Sequence, residues 1–409
     1  MDELTQSAIP PSLTVKAGHV QPLWAGHPWV FKQAIERVDT EATPGGEVLV
    51  IDPHGKILGR GLYSPRSAIA VRLFTSHGVQ PVDAELVQAR VAAAVALRRA
   101  HGLPEPRPGA ETTGFRLIHG EGDGLPGLIV DAYGPTLVVQ LGTVGLKRLE
   151  EAVFDALMRT CDPAAIIDRT PKSIAQQEGF APVAEGVRVV RGEAPETLTF
   201  HERGLAFALP MSLGQKTGFY FDQRPLRSRI EALAAGASVL DACCYVGAVG
   251  MAAARGGASK VWAVDTSAAA VEVGQACAAK NELAITFEAV EAAAAFRRAA
   301  ADGGYDVVVC DPPKLAGRRK ARDKALLSYR KLAAGAVAAT KAGGLVVLCS
   351  CSAAISLEML QRALALGARD ASRRAVVVDR CFQGPDHPVV AAFPEGLYLK
   401  GVLARVDTL

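Results

Sequence analysis

The chain has 409 residues, 49% of them hydrophobic but only 6% aromatic. At about 100–200 residues per domain this length implies two or three domains, and the aliphatic bias suits an α/β interior while excluding collagen, disordered and disulfide-knot classes. A net charge of +3, from 45 basic and 42 acidic residues, announces no nucleic-acid partner, so any basic footprint has to be local.

The start, Met1-Asp2-Glu3, lacks the basic and apolar regions of a secretory leader. No segment reaches the roughly 18 uncharged apolar residues of a membrane span, and residues 343–356 come nearest. A soluble, cytoplasmic protein without membrane contact is expected. All eight cysteines lie after residue 160 and none has C-x-x-C spacing, so free thiols and no metal are expected.

In chain order, residues 47–52 and 68–74 are short β-type runs among turn clusters such as Pro44-Gly45-Gly46, which predicts a β-rich unit over 1–80. Residues 83–101 carry helix formers without a breaker and stop at Gly102-Leu103-Pro104. Apolar stretches around residues 120–127 and 133–135 read as strands, and 144–161 reads as one amphipathic helix. An α+β unit over 81–195 follows from these. Within 196–409, strand-like runs at 238–240, 260–264, 305–310 and 344–349 alternate with Ala-rich helical stretches. That is the βαβ pattern of a doubly wound, mainly parallel sheet.

The first of these strands ends at Asp241 and runs through Cys243-Cys244-Tyr245-Val246-Gly247 into a helix expected at 251–255. The second ends at Asp265, twenty-four residues on, where an acid is placed to hold two ribose hydroxyls. The dinucleotide fingerprint is absent, with only Gly247 and Gly250 at the turn. An acid at the first loop repels pyrophosphate but suits the ammonium of a methionine moiety, which favours S-adenosylmethionine over NAD.

Two further strand ends carry chemistry. The run 305–310 delivers Asp311-Pro312-Pro313-Lys314, an acid on a rigid turn where a planar base can be read. The next strand delivers Cys349-Ser350-Cys351-Ser352. Cys349, still in the strand, reads as a small buried hydrophobe. Cys351 is placed to act as a nucleophile: a thiolate adding to carbon 6 of a pyrimidine turns carbon 5 into an enamine carbon able to accept a methyl group. Asp311, near ring N3, would stabilise that adduct. The base that removes the carbon 5 proton is not identified.

The chain resembles bacterial class I methyltransferases that form 5-methylcytosine in 23S ribosomal RNA and carry an N-terminal PUA domain. The resemblance runs from His27-Pro28-Trp29-Val30-Phe31 and Gly59-Arg60-Gly61-Leu62-Tyr63-Ser64-Pro65 through Gly120-Glu121-Gly122-Asp123-Gly124. It continues in Gly214-Gln215-Lys216-Thr217-Gly218-Phe219-Tyr220-Phe221-Asp222-Gln223-Arg224, Asp311-Pro312-Pro313-Lys314 and Ser350-Cys351-Ser352. It closes with Asp386-His387-Pro388 and Phe393-Pro394-Glu395-Gly396-Leu397-Tyr398-Leu399-Lys400-Gly401. It implies a PUA-like unit, an α+β middle unit and a Rossmann-like methyltransferase domain, with large-subunit ribosomal RNA as partner. It also implies that Cys351 is the nucleophile, that Gln223 and Arg224 border the methionine end, that Asp265 holds the ribose and that Glu291 stands where an Asp meets the adenine. The cofactor side is completed by Tyr220, Asp241, Tyr245, Gly247, Ser267 and Asp311. The chain departs from the family at the first loop, where Tyr-Thr-Gly-Gly is usual and a hydroxyl and a glycine are missing here.

Residues 314–331 hold eight basic residues and one acid, +7 in all, which leaves the other 391 residues at −4. An ordinary run of this kind is a solvated helix face. Following directly on the Asp311 turn, Lys314, Arg318, Arg319, Lys320 and Arg322 are instead expected to meet RNA phosphates. Arg116, His119 and Arg169 are weaker candidates. A non-catalytic RNA-binding assembly factor and an NAD-dependent oxidoreductase are the alternatives, and a homodimer stays open.

Overall fold

The structure is a computed structural model that describes residues 9–76, 80–213, 218–315 and 321–409. Its N-terminal sheet has six strands, Ser12–Val15, Trp29–Phe31, Ile35–Val38, Glu47–Ile51, Ile57–Tyr63 and Ile69–Thr75. Alternation sets their faces: in Glu47–Ile51 only Val48 and Val50 are buried, and they meet Leu13, Val15, Val30 and Val71 in one core.

A helix over Ala84–Ala100 follows, begun by Asp83, whose carboxylate accepts from Leu86 N at 2.9 Å. It packs on a five-stranded sheet ordered Arg188–Gly192, Ala165–Asp168, Thr136–Leu141, Leu128–Tyr133, Gly114–His119. The single helix expected over 144–161 is two, Val144–Arg148 and Glu150–Cys161. Tertiary packing divides it. Gly145 lies so close to Leu62 of the N-terminal sheet that a Cβ would sit 2.6 Å from it. The first piece is thereby held against that sheet, and the second turns to bury Val153, Phe154, Ala156 and Leu157.

A hairpin of Thr197–Glu202 and Leu205–Pro210 leads into the largest sheet. Its strands are β1 (Ser238–Ala242), β2 (Lys260–Asp265), β3 (Thr286–Ala289), β4 (Tyr305–Cys310), β5 (Thr340–Ser350), β6 (Arg373–Phe382) and β7 (Lys400–Thr408), in the order 3-2-1-4-5-7-6. The first five are parallel, whereas β7 runs antiparallel between β5 and β6. The helices are α1 (Arg224–Leu233), α2 (Ala248–Arg255), α3 (Ala268–Lys280), α4 (Ala292–Ala301), α5 (Arg322–Ala338) and α6 (Leu357–Asp370). Residues of α4, α5 and α6 pack on one face through Leu240, Val308 and Val346, and α1 and α2 on the other through Val239, Val307 and Val347. Burial on both faces is why these strands read as continuous apolar runs. Helix α2 starts at Ala248, three residues before the expected 251, because Gly247 takes the left-handed conformation (φ +71°) that turns the chain into it. Among the described residues no helix is long and apolar enough to cross a membrane.

Candidate active site

The parallel strands end on one edge, the place where open α/β sheets bind ligands. Asp241, 1% exposed in β1, accepts from Gly250 N of α2 at 2.8 Å. Asp265 closes β2 and accepts twice from the backbone, Oδ2 from Tyr245 N and Oδ1 from Ser267 N, each at 2.9 Å. Its carboxylate is thus locked at the strand tip, with further lone pairs on both oxygens. Ser267 begins α3, its hydroxyl accepting from Ala270 N at 3.2 Å. Gly247 is needed for closeness as well as conformation, since a Cβ there would lie 2.4 Å from the Phe287 ring. Tyr245 donates through its hydroxyl to Gly218 O at 2.8 Å and meets the Tyr220 ring edge to face at 5.4 Å. Glu291 precedes α4 and is exposed.

Asp311 follows β4, half-buried, and its Oδ2 accepts from Gln223 Nε2 at 2.8 Å. Asp241, Asp265 and Asp311 therefore converge around the first loop. Burial, and then the charges of Asp311 and Asp265, push the Asp241 carboxyl up to about 7. Burial with the same carboxylates pushes the Cys243 thiol up to about 12. So negative a mouth favours a cationic ligand and opposes a pyrophosphate.

The Ser350–Ser352 turn separates the two candidate thiols. Cys349 is 1% exposed, and burial, then Asp311, holds its thiol well above the ordinary range. Cys351 is half-buried just beyond the end of β5. Tyr220 feels the charges of both Cys351 and Asp311, which joins the cysteine to the acidic mouth. Beneath it, Tyr329 of α5 donates to Ser350 Oγ at 2.8 Å. Lys400, missed by the motif reading, donates from Nζ to Ser352 O at 3.0 Å and Ile355 O at 2.7 Å. A lone lysine opening an apolar strand was the available signal.

Arg224 sits differently from its expected place at the methionine end. Its guanidinium donates to Glu202 Oε2 at 3.2 Å, Asp386 Oδ2 at 3.0 Å and Gly114 O at 2.9 Å. Helical geometry accounts for this: consecutive residues point about 100° apart, so Gln223 and Arg224 face different partners. Asp386 gathers further groups, accepting from Arg116 N at 3.1 Å and, through its carbonyl, from Arg98 Nη2 at 2.9 Å. Arg116 is ion-paired with buried Asp131, and burial, then His387 and the Arg116 and Arg98 charges, holds His119 well below its ordinary pKa. Both belong to this seam rather than to an RNA surface. Arg169, by contrast, is half-buried and its charge reaches Tyr245.

Of the basic run, Arg318, Arg319 and Lys320 lie outside the described residues, as do Gly214, Gln215, Lys216 and Thr217. Lys314 is exposed, while Arg322 stands half-buried at the start of α5, 3.5 Å from Asp323. Arg330 is paired with Asp370 at 2.6 Å, so the full +7 is not at the disposal of a ligand. Elsewhere, a polar cleft of about 520 Å³ contains Arg107, Arg203 and Arg255, with Arg107 bound to Glu105 and the other two to Glu231. Among the described residues no group of three or more His, Cys, Asp or Glu is arranged to hold a metal ion.

Sheet order 3-2-1-4-5-7-6, with acids at the ends of β1, β2 and beyond β4, defines a Rossmann-like methyltransferase domain. Residues 115–404 match the S-adenosylmethionine-dependent methyltransferase family, to which the chain belongs, and residues 13–76 match a PUA-like domain. The cofactor is S-adenosylmethionine, and the acidic mouth suits its two positive centres. The chain is 33% identical to Ribosomal RNA large subunit methyltransferase I of Shewanella frigidimarina (strain NCIMB 400), over 96% of this chain and 99% of that one. It is 34% identical to the protein of the same name from Salmonella arizonae, over 98% and 100%. A crystal structure of a methyltransferase complexed with SAH shares the fold, with TM-score 0.81 at 19% identity, covering 96% of this chain and 99% of that one. A methyltransferase from Streptococcus mutans does likewise, with TM-score 0.80 at 18% identity and the same coverage.

Proposed function

We propose that the protein methylates carbon 5 of a cytosine in large-subunit (23S) ribosomal RNA through a covalent adduct on Cys351. The observation that carries this reading is half-buried Cys351 just beyond the end of β5, whose charge reaches the same Tyr220 as that of Asp311, while Cys349 is buried within the strand. The substrate class is supported by the names of relatives matched over nearly the whole chain, and the PUA-like unit fits an RNA partner.

In this reading Asp241 faces the methionine ammonium and Asp265 the ribose hydroxyls. Tyr220 and Tyr245 wall the methionine side with Gln223, Gly247 lets the loop approach, Ser267 fixes Asp265 through its backbone N–H, and Glu291 lies toward the adenine. S-adenosylmethionine, when bound, supplies an electrophilic methyl group on a sulfonium. The Cys351 thiolate adds to carbon 6, and the displaced π electrons make carbon 5 nucleophilic, while Asp311, held by Gln223 and entering this step protonated, shares its proton with ring N3 to offset the charge that develops there. Carbon 5 takes the methyl group, a base removes its proton, and the returning electrons expel the thiolate. Lys314, Arg322 and the neighbouring Arg318, Arg319 and Lys320 hold phosphates beside the extruded base.

Bisulfite sequencing of ribosomal RNA from cells with and without the gene tests the proposal. Loss of one large-subunit 5-methylcytosine is expected. An unchanged pattern would reject it and favour a non-catalytic assembly role.

A further inference from the structure

Lys400 opens β7, where the antiparallel register sets it against Ser350, the last residue of β5. The residue is 5% exposed and is followed by the buried, apolar Val402 and Leu403. Strand pairing calls for no lysine here, and burying an ammonium is unfavourable unless something compensates it. Two compensations are visible. The first is the pair of hydrogen bonds from Nζ to Ser352 O at 3.0 Å and Ile355 O at 2.7 Å, which span the turn leaving β5; Ile355 N also donates to Ser352 O at 3.0 Å. The second is charge. Burial lowers the Lys400 pKa to about 8, and the field of an ionised Cys351 acts in the opposite direction, raising it.

We propose that Lys400 is a positioning residue for Cys351: its ammonium clasps the turn through two carbonyls and lends the thiolate a buried positive charge. The importance of this role rests on Cys351 being the nucleophile, but the physical coupling does not. Among the described residues, the neighbouring tyrosines and Asp311 do not supply that charge. Tyr220, before α1, and Tyr329, on α5, both feel the Cys351 charge, and burial foremost raises each phenol above its ordinary pKa, so both stay neutral near pH 7. Asp311, beyond β4, reaches the same two tyrosines and is of the wrong sign. Lys400 is the cation from β7. Since the thiolate is the reactive form, a nearby cation lowers the pH at which the cysteine becomes reactive.

The test is the pH dependence of Cys351 alkylation by iodoacetamide in the full-length protein, read by peptide mass spectrometry. Lys400→Met is expected to raise the half-alkylation pH by about one unit, making alkylation about tenfold slower at neutral pH. Lys400→Gln, which keeps an amide donor for the turn but no charge, is expected to show the same rise, whereas Lys400→Arg keeps the wild-type midpoint. These variants separate charge from scaffolding and give a second neutral substitution should Lys400→Met not fold. An unchanged midpoint in a folded neutral variant overturns the proposal. The readout uses neither RNA nor cofactor, so a shift accompanied by full methylation in Cys351→Ala would uphold the Lys400 coupling and reject the covalent mechanism.

Discussion

Gln223 Nε2 donates to Asp311 Oδ2 at 2.8 Å, joining the turn before α1 to the end of β4. Gln223 is 6% exposed, so its amide holds the carboxylate in a setting where water replaces it poorly. Removing one partner of a hydrogen bond to a charged group costs about 1.5–3 kcal/mol. Gln223→Leu is therefore expected to lower kcat about 10- to 100-fold, with cofactor affinity changing less. Single-turnover methylation and calorimetric titration with S-adenosylhomocysteine measure the two separately, and an unchanged kcat would remove Asp311 positioning from the mechanism.

The two thiols of β5 are expected to differ sharply. Cys351→Ala should abolish methyl transfer while cofactor binding survives, and Cys349→Ala should retain activity with a loss of stability. RNA containing 5-fluorocytosine should trap wild-type protein in a denaturation-resistant adduct, because fluorine has no proton to surrender. A trapped adduct in Cys351→Ala would transfer the nucleophile to another residue.

Cofactor affinity should depend on pH through Asp241. Its carboxyl, raised to about 7 by burial and the neighbouring acids, is mostly protonated below that pH, and an ammonium ligand favours the ionised form. Binding then releases a proton, and affinity falls as pH falls, by up to about tenfold between pH 7 and pH 6. Calorimetry with S-adenosylhomocysteine in buffers of different ionisation enthalpy reads both effects. Asp241→Asn should bind weakly and without this dependence; a pH-independent wild-type affinity would contradict the assignment.

Asp386 should be a determinant of stability. Burial alone would raise its carboxyl, but Arg224 and then His387 hold it far below the ordinary carboxylate range. An acid whose folded pKa lies below its unfolded value of about 3.9 stabilises fully above that pH and loses the contribution as pH falls further. Asp386→Ala removes one of the two carboxylates that Arg224 meets, leaving it Glu202, a change worth about 1.5–3 kcal/mol. Urea unfolding at neutral pH should report that loss, and the acid-unfolding curve below about pH 4 should be less steep in Asp386→Asn than in wild type.

The basic segment gives a prediction with an internal control. Lys314→Ala and Arg322→Ala should each lower the salt slope of RNA binding by about one. Arg330→Ala should leave the slope unchanged, because that guanidinium is bound to Asp370. Equal effects from all three would mean that the segment acts only through its total charge.

Features decided within a few residues were legible in the sequence. The breaker-free helical stretch over 83–101 and the apolar strands leading to Asp241, Asp265 and Asp311 all depend on local pattern, although Asp83 itself is the cap rather than the first helical residue. Features decided by distant partners were not. The break at Leu149 follows from the fit of Gly145 against Leu62. Arg116 and His119, weaker RNA candidates in the sequence, are enclosed by Asp131 and by Asp386, the latter 270 positions from Arg116. Arg224 sits next to Gln223 in the chain, yet the first turn of α1 points it elsewhere. Lys400 is visible in the sequence only as part of the closing motif, because Ser352 and Ile355 meet it through β-sheet register.

The convergence of Arg98, Arg116 and Arg224 on Asp386 has a geometric consequence. Two of these arginines come from the middle unit and one from the first turn of the catalytic domain, so Asp386 ties the two together at one buried point. Any movement that parted the two would break these hydrogen bonds together and leave a buried carboxylate short of partners. Under the proposed function, an RNA reaching both the middle unit and the strand-end mouth would meet them at the spacing that this seam holds.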